Sequence, residues 1–407
     1  MKANHCNGTR VPKDMDSKKR IAVVFEGDIR NRLGVFNAVL NRVRHLRQVA
    51  DYGIDVHMLQ VYDGAIMRRL RGSKPLEEHP ASFQVEGETF HLHWLKRSWT
   101  DAIGHRLLGR RPARLLHKLD QLAGELSGYS LFSAHDRMGG IVARQAAKRY
   151  AIPHTITWHG ASIYTDPPRD PMLKAVTIEL LHGADENFFV SHGLHNKALE
   201  LTTGFPARVL FNGASAEFRR LSDDERKALR HEYGVEGCKV VAFVGRFEPV
   251  KNVTLLPEIF SIIAQKYGQP LTFWTMGTGF QHEQVRQALE ATGLNAKMWG
   301  MQPLEMMPRL MNCVDVLVLP SQLEGLPLVT LEAMQCGANV VASDVVGTAE
   351  GIGRDNAIPI DDRFIDRLTD RAVQMLRGEV QQSLPPDISW EATAIKENEI
   401  YQRLIRC

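Results

Sequence analysis

The chain has 407 residues, 44% hydrophobic and 24% charged, with 50 Lys/Arg against 47 Asp/Glu. These values exclude disordered, collagenous and disulfide-scaffold proteins and leave room for two or three domains. The net +3 conceals an asymmetry: residues 1–200 carry 29 Lys/Arg and 21 Asp/Glu, and residues 201–407 carry 21 and 26. A basic half joined to an acidic half points to two units with different partners.

Residues 1–18 are polar, with no apolar run, and read as a mobile leader, not a secretory signal. The five cysteines, Cys6, Cys238, Cys313, Cys336 and Cys407, form no C-x-x-C pair. That argues against a disulfide framework or a zinc site and for a reducing, cytoplasmic compartment. Nowhere do ~18 apolar residues run together, so no membrane-spanning helix is expected.

Along the chain, Ile21–Phe25 predicts a buried strand and 37–50 a helix with Val39, Leu40, Val43, Leu46 and Val49 on one face. Strands follow at 56–61, 131–133, 154–158, 187–190 and 208–211, with helices at 141–150 and 194–201. The polar, turn-rich segment 212–233 reads as a linker. The alternation then restarts: strands at 239–244, 271–275, 298–299, 314–319 and 339–342, and helices at 253–267, 281–292, 329–335 and 362–376. Ser389 suits the N-cap of a last helix. Such alternation implies parallel sheets with crossover helices. The expected fold class is α/β, with two Rossmann-like, doubly wound domains facing across a cleft. Domain bounds are expected at 19–207 and 208–388, with residues 389–407 as a helix crossing back to the first domain.

The strongest constellation lies in 315–351. An apolar strand ends in Pro320-Ser321, then Glu324-Gly325-Leu326-Pro327 leads into a helix that contains Leu328, Val329 and Glu332 and stops before Gly337. Pro327 suits the first helical turn, where its missing N–H is no loss. The two carboxylates are then ~8–12 Å apart along the axis, fit for two ends of one elongated ligand. The helix start offers free N–H groups and partial positive charge, a seat for a diphosphate, and Gly325 allows close approach.

This run, continuing through Asp344, Gly347 and Glu350, resembles the signature of retaining glycosyltransferases of family 4, which have the GT-B fold. The resemblance implies that Glu324 contacts the donor sugar and Glu332 the nucleotide ribose. Gly245-Arg246 with Lys251-Asn252 resembles the family's element that neutralises the donor diphosphate, and an Arg fork with a Lys point charge is a sound anion clamp. Gly277 and Gly279 resemble its glycine turn; a dinucleotide fingerprint is disfavoured because position 282 is His. The strand with Trp299 corresponds to the segment that holds the nucleobase by backbone groups. In the first half, Thr157-Trp158-His159-Gly160 resembles the catalytic loop, with His159 near the donor's sugar and phosphate. His135-Asp136 resembles a second element, expected on the acceptor side with Gly34. Asn212-Gly213 and Phe218 resemble the family's hinge. The segment from Glu26 through Asp28, Arg30 and Arg32 to Gly34 departs from the family's paired-glycine loop, so the acceptor end is altered.

Residues 66–118 hold 11 Lys/Arg and 5 Asp/Glu. Leu115, Leu116, Leu119, Leu122 and Leu126 form one helical face beside Arg110, Arg111, Arg114 and Lys118. One reading is a packing helix with a charged rim; the other is a surface docking on anionic lipid at the inner membrane face. Nucleic acid is not expected, since stacking aromatics are not interleaved. The resemblance implies a retaining, metal-independent transferase, with no resident cofactor or metal site. It would move sugar from a nucleotide-diphospho-sugar to a glycan or lipid-linked acceptor in polysaccharide or glycolipid synthesis. A GT-B epimerase or phosphorylase, a nicotinamide oxidoreductase and a non-catalytic membrane-surface protein are the alternatives.

Overall fold

The computed structural model describes residues 19–30, 34–71, 78–101 and 112–406. The leader 1–18 with Cys6, and Arg32, Arg110, Arg111 and Cys407, lie outside these residues.

The first half builds one sheet from β1 (Arg20–Gly27), β2 (Gly53–Asp63), β3 (Ser82–Val85), β4 (Glu88–Arg97), β5 (Leu131–His135), β6 (His154–Trp158), β7 (Glu186–Phe189) and β8 (Ala207–Val209). Their order is β3-β4-β2-β1-β5-β6-β7-β8. Every pairing is parallel except β3 with β4. Ile21 to Phe25 are buried on both faces, which is why this run is continuously apolar instead of alternating. Helices α1 (Val35–Val49), α2 (Ala113–Glu125), α3 (Asp136–Tyr150) and α4 (His192–Leu199) belong to this half.

The β3–β4 hairpin falls within the basic region 66–118, where no strand was expected. Its two-residue turn, Glu86-Gly87, has φ of 50° and 83°, the positive values a tight hairpin turn needs. The apolar face of α2 follows the first of its two readings, a packing helix. Leu119, Leu122, Ala123 and Leu126 are buried in the core beside Phe132 and Val142, and Leu115 and Leu116 pack against that cluster. Packing inside the domain occupies the face that a lipid-docking helix would have to expose.

The second half has α5 (Asp223–Glu232), β9 (Lys239–Val244), β10 (Leu271–Met276), β11 (Ala296–Gly300), β12 (Val316–Leu319), α6 (Leu328–Gln335), β13 (Asn339–Ser343) and β14 (Ala357–Ile358). The all-parallel sheet runs β11-β10-β9-β12-β13-β14. Helix α5 lies inside the segment read as linker. Its start is a capping box: the Ser222 hydroxyl accepts from the Glu225 N–H while the Glu225 carboxylate accepts from the Ser222 N–H. Ser222→Ala should lower unfolding stability by about 1 kcal/mol, read by denaturant titration.

The final helix α7 (Trp390–Arg406) packs on the first half. Ala394, Ile400 and Tyr401 share a core cluster with Phe36, Val39 and Val43 of α1. Ser389 caps it, its hydroxyl accepting from the Ala392 N–H at 3.1 Å. A Cβ on Gly213 would stand 2.3 Å from the Trp390 nitrogen, so the crossing requires glycine there.

Both sheets reverse strand order at one point, between β1 and β5 and between β9 and β12. Ligand crevices form beyond the carboxyl ends of strands at such points. The loops after these four strands carry most of the residues singled out from sequence.

Candidate active site

A cleft of about 940 Å³ lies between the halves. Gly34, His159, Gly245, Arg246, Lys251, Gly277, Glu324, Gly325, Leu326, Leu328, Val329 and Glu332 all line it. Among the residues expected in the site, Gly279, Trp299, His135 and Asp136 do not.

On the second-half side, Gly245 and Gly277 end neighbouring strands so tightly that a Cβ on Gly277 would lie 2.0 Å from the Gly245 oxygen. Gly277 also has φ of 124°. Lys251 donates from Nζ to Glu324 Oε1 at 2.5 Å, with the two side chains only 17% and 10% exposed. Arg246 is half exposed, and its Nη1 donates to Glu248 Oε1 at 2.8 Å. An exposed pair of this kind is weak, so the guanidinium is readily given to a stronger anion. Helix α6 begins at Leu328, with Pro327 one residue before it as the cap, a shift from the expected first turn. The N–H groups of Leu328 and Val329, at its start, have no intrahelical partner, and both residues line the cleft, whereas the Thr330 N–H turns back to the Pro327 oxygen. The helix stops at Gly337 (φ 90°), where the Ala338 N–H returns to the Ala333 oxygen and the Gly337 N–H to Met334. Burial pushes the Glu332 carboxyl up to about 7.

Two donor-side expectations are corrected. The Gly279 backbone packs on that of Phe247, where a Cβ would meet the Phe247 oxygen at 2.6 Å. Trp299 packs against Trp274 and Tyr233, with the Lys297 ammonium over its ring. Met301, Gln302 and Pro303, just after β11, line the cleft in its place. Its carbonyl is also taken, accepting from Gln302 Nε2 at 2.6 Å.

On the first-half side, His159 follows β6. Its Nε2 lies 2.9 Å from His135 Nδ1, and the rings stack at 5.2 Å. One proton serves that contact, so one ring donates and the other accepts. Burial first, then the Arg42 cation, lowers His159 to about 3; burial, His159 and Arg42 lower His135 likewise. Both are therefore uncharged at neutral pH. Asp136 Oδ1 accepts from the His159 N–H at 3.2 Å, and burial pushes its carboxyl up to about 6. His135 and Asp136 thus stand behind His159, not on the acceptor side. Gly34 does face the cleft; its φ is 59°, and a Cβ there would meet open space.

Sequence reading missed Tyr164 and Glu86, which also line the cleft, as does Arg30 of the altered segment before Gly34. Tyr164 packs over Gly160, where a Cβ would come 2.6 Å from its hydroxyl. The signal for it was the glycine after His159. Buried Arg42, from α1, was missed as well.

Paired α/β domains closing on a cleft with two carboxylates, two cations and a neutral histidine define the GT-B class. Solved structures agree in fold: Thermosynechococcus elongatus sucrose-phosphate synthase matches with TM-score 0.69 and 17% identity, over 96% of this chain and 100% of that one. Anabaena Alr3699/HepE in complex with UDP matches with TM-score 0.65 and 17% identity, over 95% and 97%. The family models for "Glycosyl transferase 4-like domain" and "Glycosyl transferases group 1" match residues 37–213 and 238–377. The chain belongs to the group 1 glycosyl transferases. Among curated relatives, the D-inositol 3-phosphate glycosyltransferase of Rhodococcus erythropolis is 27% identical over 235 residues, 54% of this chain and 53% of the relative. That of Segniliparus rotundus is 33% identical over 129 residues, 30% of this chain and 29% of the relative. The chain spans about half the length of the first of these, and less of the second.

Proposed function

We propose that the protein transfers a sugar, with retained anomeric configuration, from a nucleoside-diphosphate sugar to an acceptor hydroxyl of a glycan or lipid-linked sugar. The observation that carries this is the buried Lys251–Glu324 pair, opening into one cleft with Arg246, the α6 N-terminus and an uncharged His159. Relatives named for inositol-phosphate glycosylation, and neighbours holding UDP or UDP-glucose, support a nucleotide-sugar donor.

In this mechanism the diphosphate departs toward Arg246, Lys251 and the α6 N–H groups, which stabilise the charge that develops on it. These groups supply positive charge that a metal would otherwise bring. The sugar becomes oxocarbenium-like beside Glu324. The acceptor hydroxyl attacks from the face the diphosphate leaves and passes its proton to the departing phosphate. His159, uncharged, offers a hydrogen bond to the donor without repelling Lys251. No helix of the described residues is long and apolar enough to cross a membrane. Peripheral attachment at an inner membrane face would rest on exposed cations such as Arg114, not on the α2 leucines.

A panel of nucleoside diphosphates and their sugars in thermal-shift and nucleotide-release assays tests the reading, with NMR of the product's anomeric centre. Absence of any response across the panel, or an inverted product, would sink it.

Glu332 gives a pH prediction. Its carboxylate would accept from ribose hydroxyls, and the protonated form is a poorer acceptor. With a carboxyl near 7, about a tenth is ionised at pH 6 and most at pH 8. UDP affinity by calorimetry should therefore rise up to about tenfold from pH 6 to 8, and Glu332→Gln should remove that part of the rise.

A further inference from the structure

We propose that the last helix completes the catalytic centre: Glu397, carried by α7, holds Arg42 of α1 as a positioning residue beneath the His135–His159 pair. The inference rests on the glycosyltransferase reading for what the histidines do, but not for how they are held.

Arg42 is 2% exposed and Glu397 is fully buried, with Arg42 Nε 3.2 Å from Glu397 Oε2. Arg42 Nη1 donates to the Thr157 hydroxyl at 2.8 Å. Thr157 lies opposite His135 in the β5–β6 register, and two residues later the chain reaches His159. The Tyr401 hydroxyl donates to Glu397 Oε1 and is joined by the Ser133 hydroxyl at 2.6 Å, two residues before His135. A continuous polar path thus runs from α7 through α1 to the strand ends that carry both imidazoles. It is closed off from solvent, and none of Arg42, Glu397 or Tyr401 lines the cleft.

Stability alone is a poor reason for such a pair. Two buried charges cost desolvation, and apolar replacements of similar volume are commonly as stable or more so. Here Arg42 even leaves Nη2 buried without a partner. Its placement makes sense through the histidines. A fixed cation below them opposes a second proton on their shared contact, so the pair keeps one donor and one acceptor. Besides Arg42, the groups facing the pair are Asp136, whose carboxylate accepts from the backbone N–H of His159, Tyr164 over Gly160 on the same side, and across the cleft the Glu324–Lys251 pair. Asp136 is drawn toward neutrality, and Glu324 is matched by Lys251; the cation on the histidines' buried side is Arg42, its guanidinium shared between Glu397 and the Thr157 hydroxyl.

The test is NMR of imidazole nitrogens in histidine-labelled full-length protein, titrated from pH 8 to 4. His135 and His159 signals are assigned by comparison with His135→Gln and His159→Gln proteins. Wild type should show both imidazoles uncharged throughout. The double variant Arg42→Met/Glu397→Met should keep the wild-type melting temperature within a few degrees yet begin to protonate His159, at a pH at least about one unit higher than wild type. In nucleotide release from UDP-glucose, or from whichever nucleotide sugar the panel selects, the acid-side fall in kcat should begin about one pH unit higher in the double variant than in wild type. KM for the donor should hold. Tyr401→Phe should leave the titration unchanged. A wild-type His159 that titrates near 6.5, or a folded double variant with wild-type titration and pH profile, would overturn the proposal. Failure of wild type to turn over any nucleotide sugar would overturn the functional reading instead, and the titration would still decide this one.

Discussion

Lys251→Ala should lower kcat/KM for the nucleotide sugar by about 10²–10³-fold and weaken UDP binding with it. The expected magnitude is that of removing one aligned charge-stabilising group from a site closed to water. Glu324→Gln should lose turnover to a similar extent, but with UDP affinity kept or raised several-fold. The asymmetry follows from the 2.5 Å contact between the two. Without its carboxylate partner, Lys251 is free to pair with the diphosphate; without Lys251, the donor-side cation that remains among the described residues is Arg246, half exposed and held by Glu248. The double variant should be little worse than Lys251→Ala, because two groups acting as one unit are not additive. Calorimetry with UDP and steady-state turnover, run on all three proteins, check this. Equal loss of UDP affinity in both single variants would remove the pair from the donor site.

Gly347→Ala should be the most damaging change outside the charged groups. The halves meet along a seam of backbone contacts that leaves no room for side chains. Across it, a Cβ on Gly347 would lie 2.4 Å from the Ser191 hydroxyl, one on Gly325 2.2 Å from the His159 oxygen, and one on Gly193 2.0 Å from the Val346 oxygen; within its own half, Gly347 is also closed by the Gly325 oxygen at 1.9 Å. The seam is tied by Ser191 Oγ donating to the Gly325 oxygen at 3.0 Å. Glu350 accepts from the His192 and Gly193 N–H groups at 2.8 and 2.7 Å, where a carboxylate also suits the N-terminus of α4. A methyl on Gly347 would press on Ser191 of the other half and on the Gly325 backbone next to Glu324, and misplacement of such a loop by about 1 Å can cost on the order of 10²-fold in rate. The variant should keep its helical circular dichroism, scatter X-rays as a more open particle, and turn over at least about 10²-fold more slowly. Turnover at the wild-type rate would show that the seam is not needed for catalysis.

How far the site was legible depends on the span of sequence that builds it. Glu324, Gly325 and Glu332 sit on one strand–loop–helix unit, so period, turn and cap residues together placed them beside one another. Arg246 and Lys251 were legible for the same reason. His135 was placed at its strand end but given the wrong neighbours, because its hydrogen bond to His159 is set by the pairing of two strands. Arg42 was hidden more deeply: an arginine among apolar helix positions reads as a solvated rim until the last helix is seen to bring Glu397 over it. The strand with Trp299 was expected to offer its backbone to a base, but the cleft-lining backbone begins two residues on, at Met301, because a strand's end is set by pairing that local sequence does not record. The β3–β4 hairpin was overlooked because His91 and His93 break an apolar pattern, yet Glu86-Gly87 was a readable turn signal. The leucines of α2 show the opposite limit, since periodicity identifies an apolar face but not what covers it.

The packing of α7 on α1 also has a consequence for biosynthesis. The first sheet is made early, but Ala394, Ile400 and Tyr401, which complete its core, leave the ribosome only after the whole second sheet. Closing contacts over so long a loop is slow, and early domains otherwise tend to fold as they emerge. The nascent first half must therefore wait with Phe36, Val39 and Val43 uncovered and Arg42 unpaired. The histidine pair can reach its final arrangement only once synthesis has passed Tyr401, so a chain stalled before that point would have the complete donor loops and remain inactive.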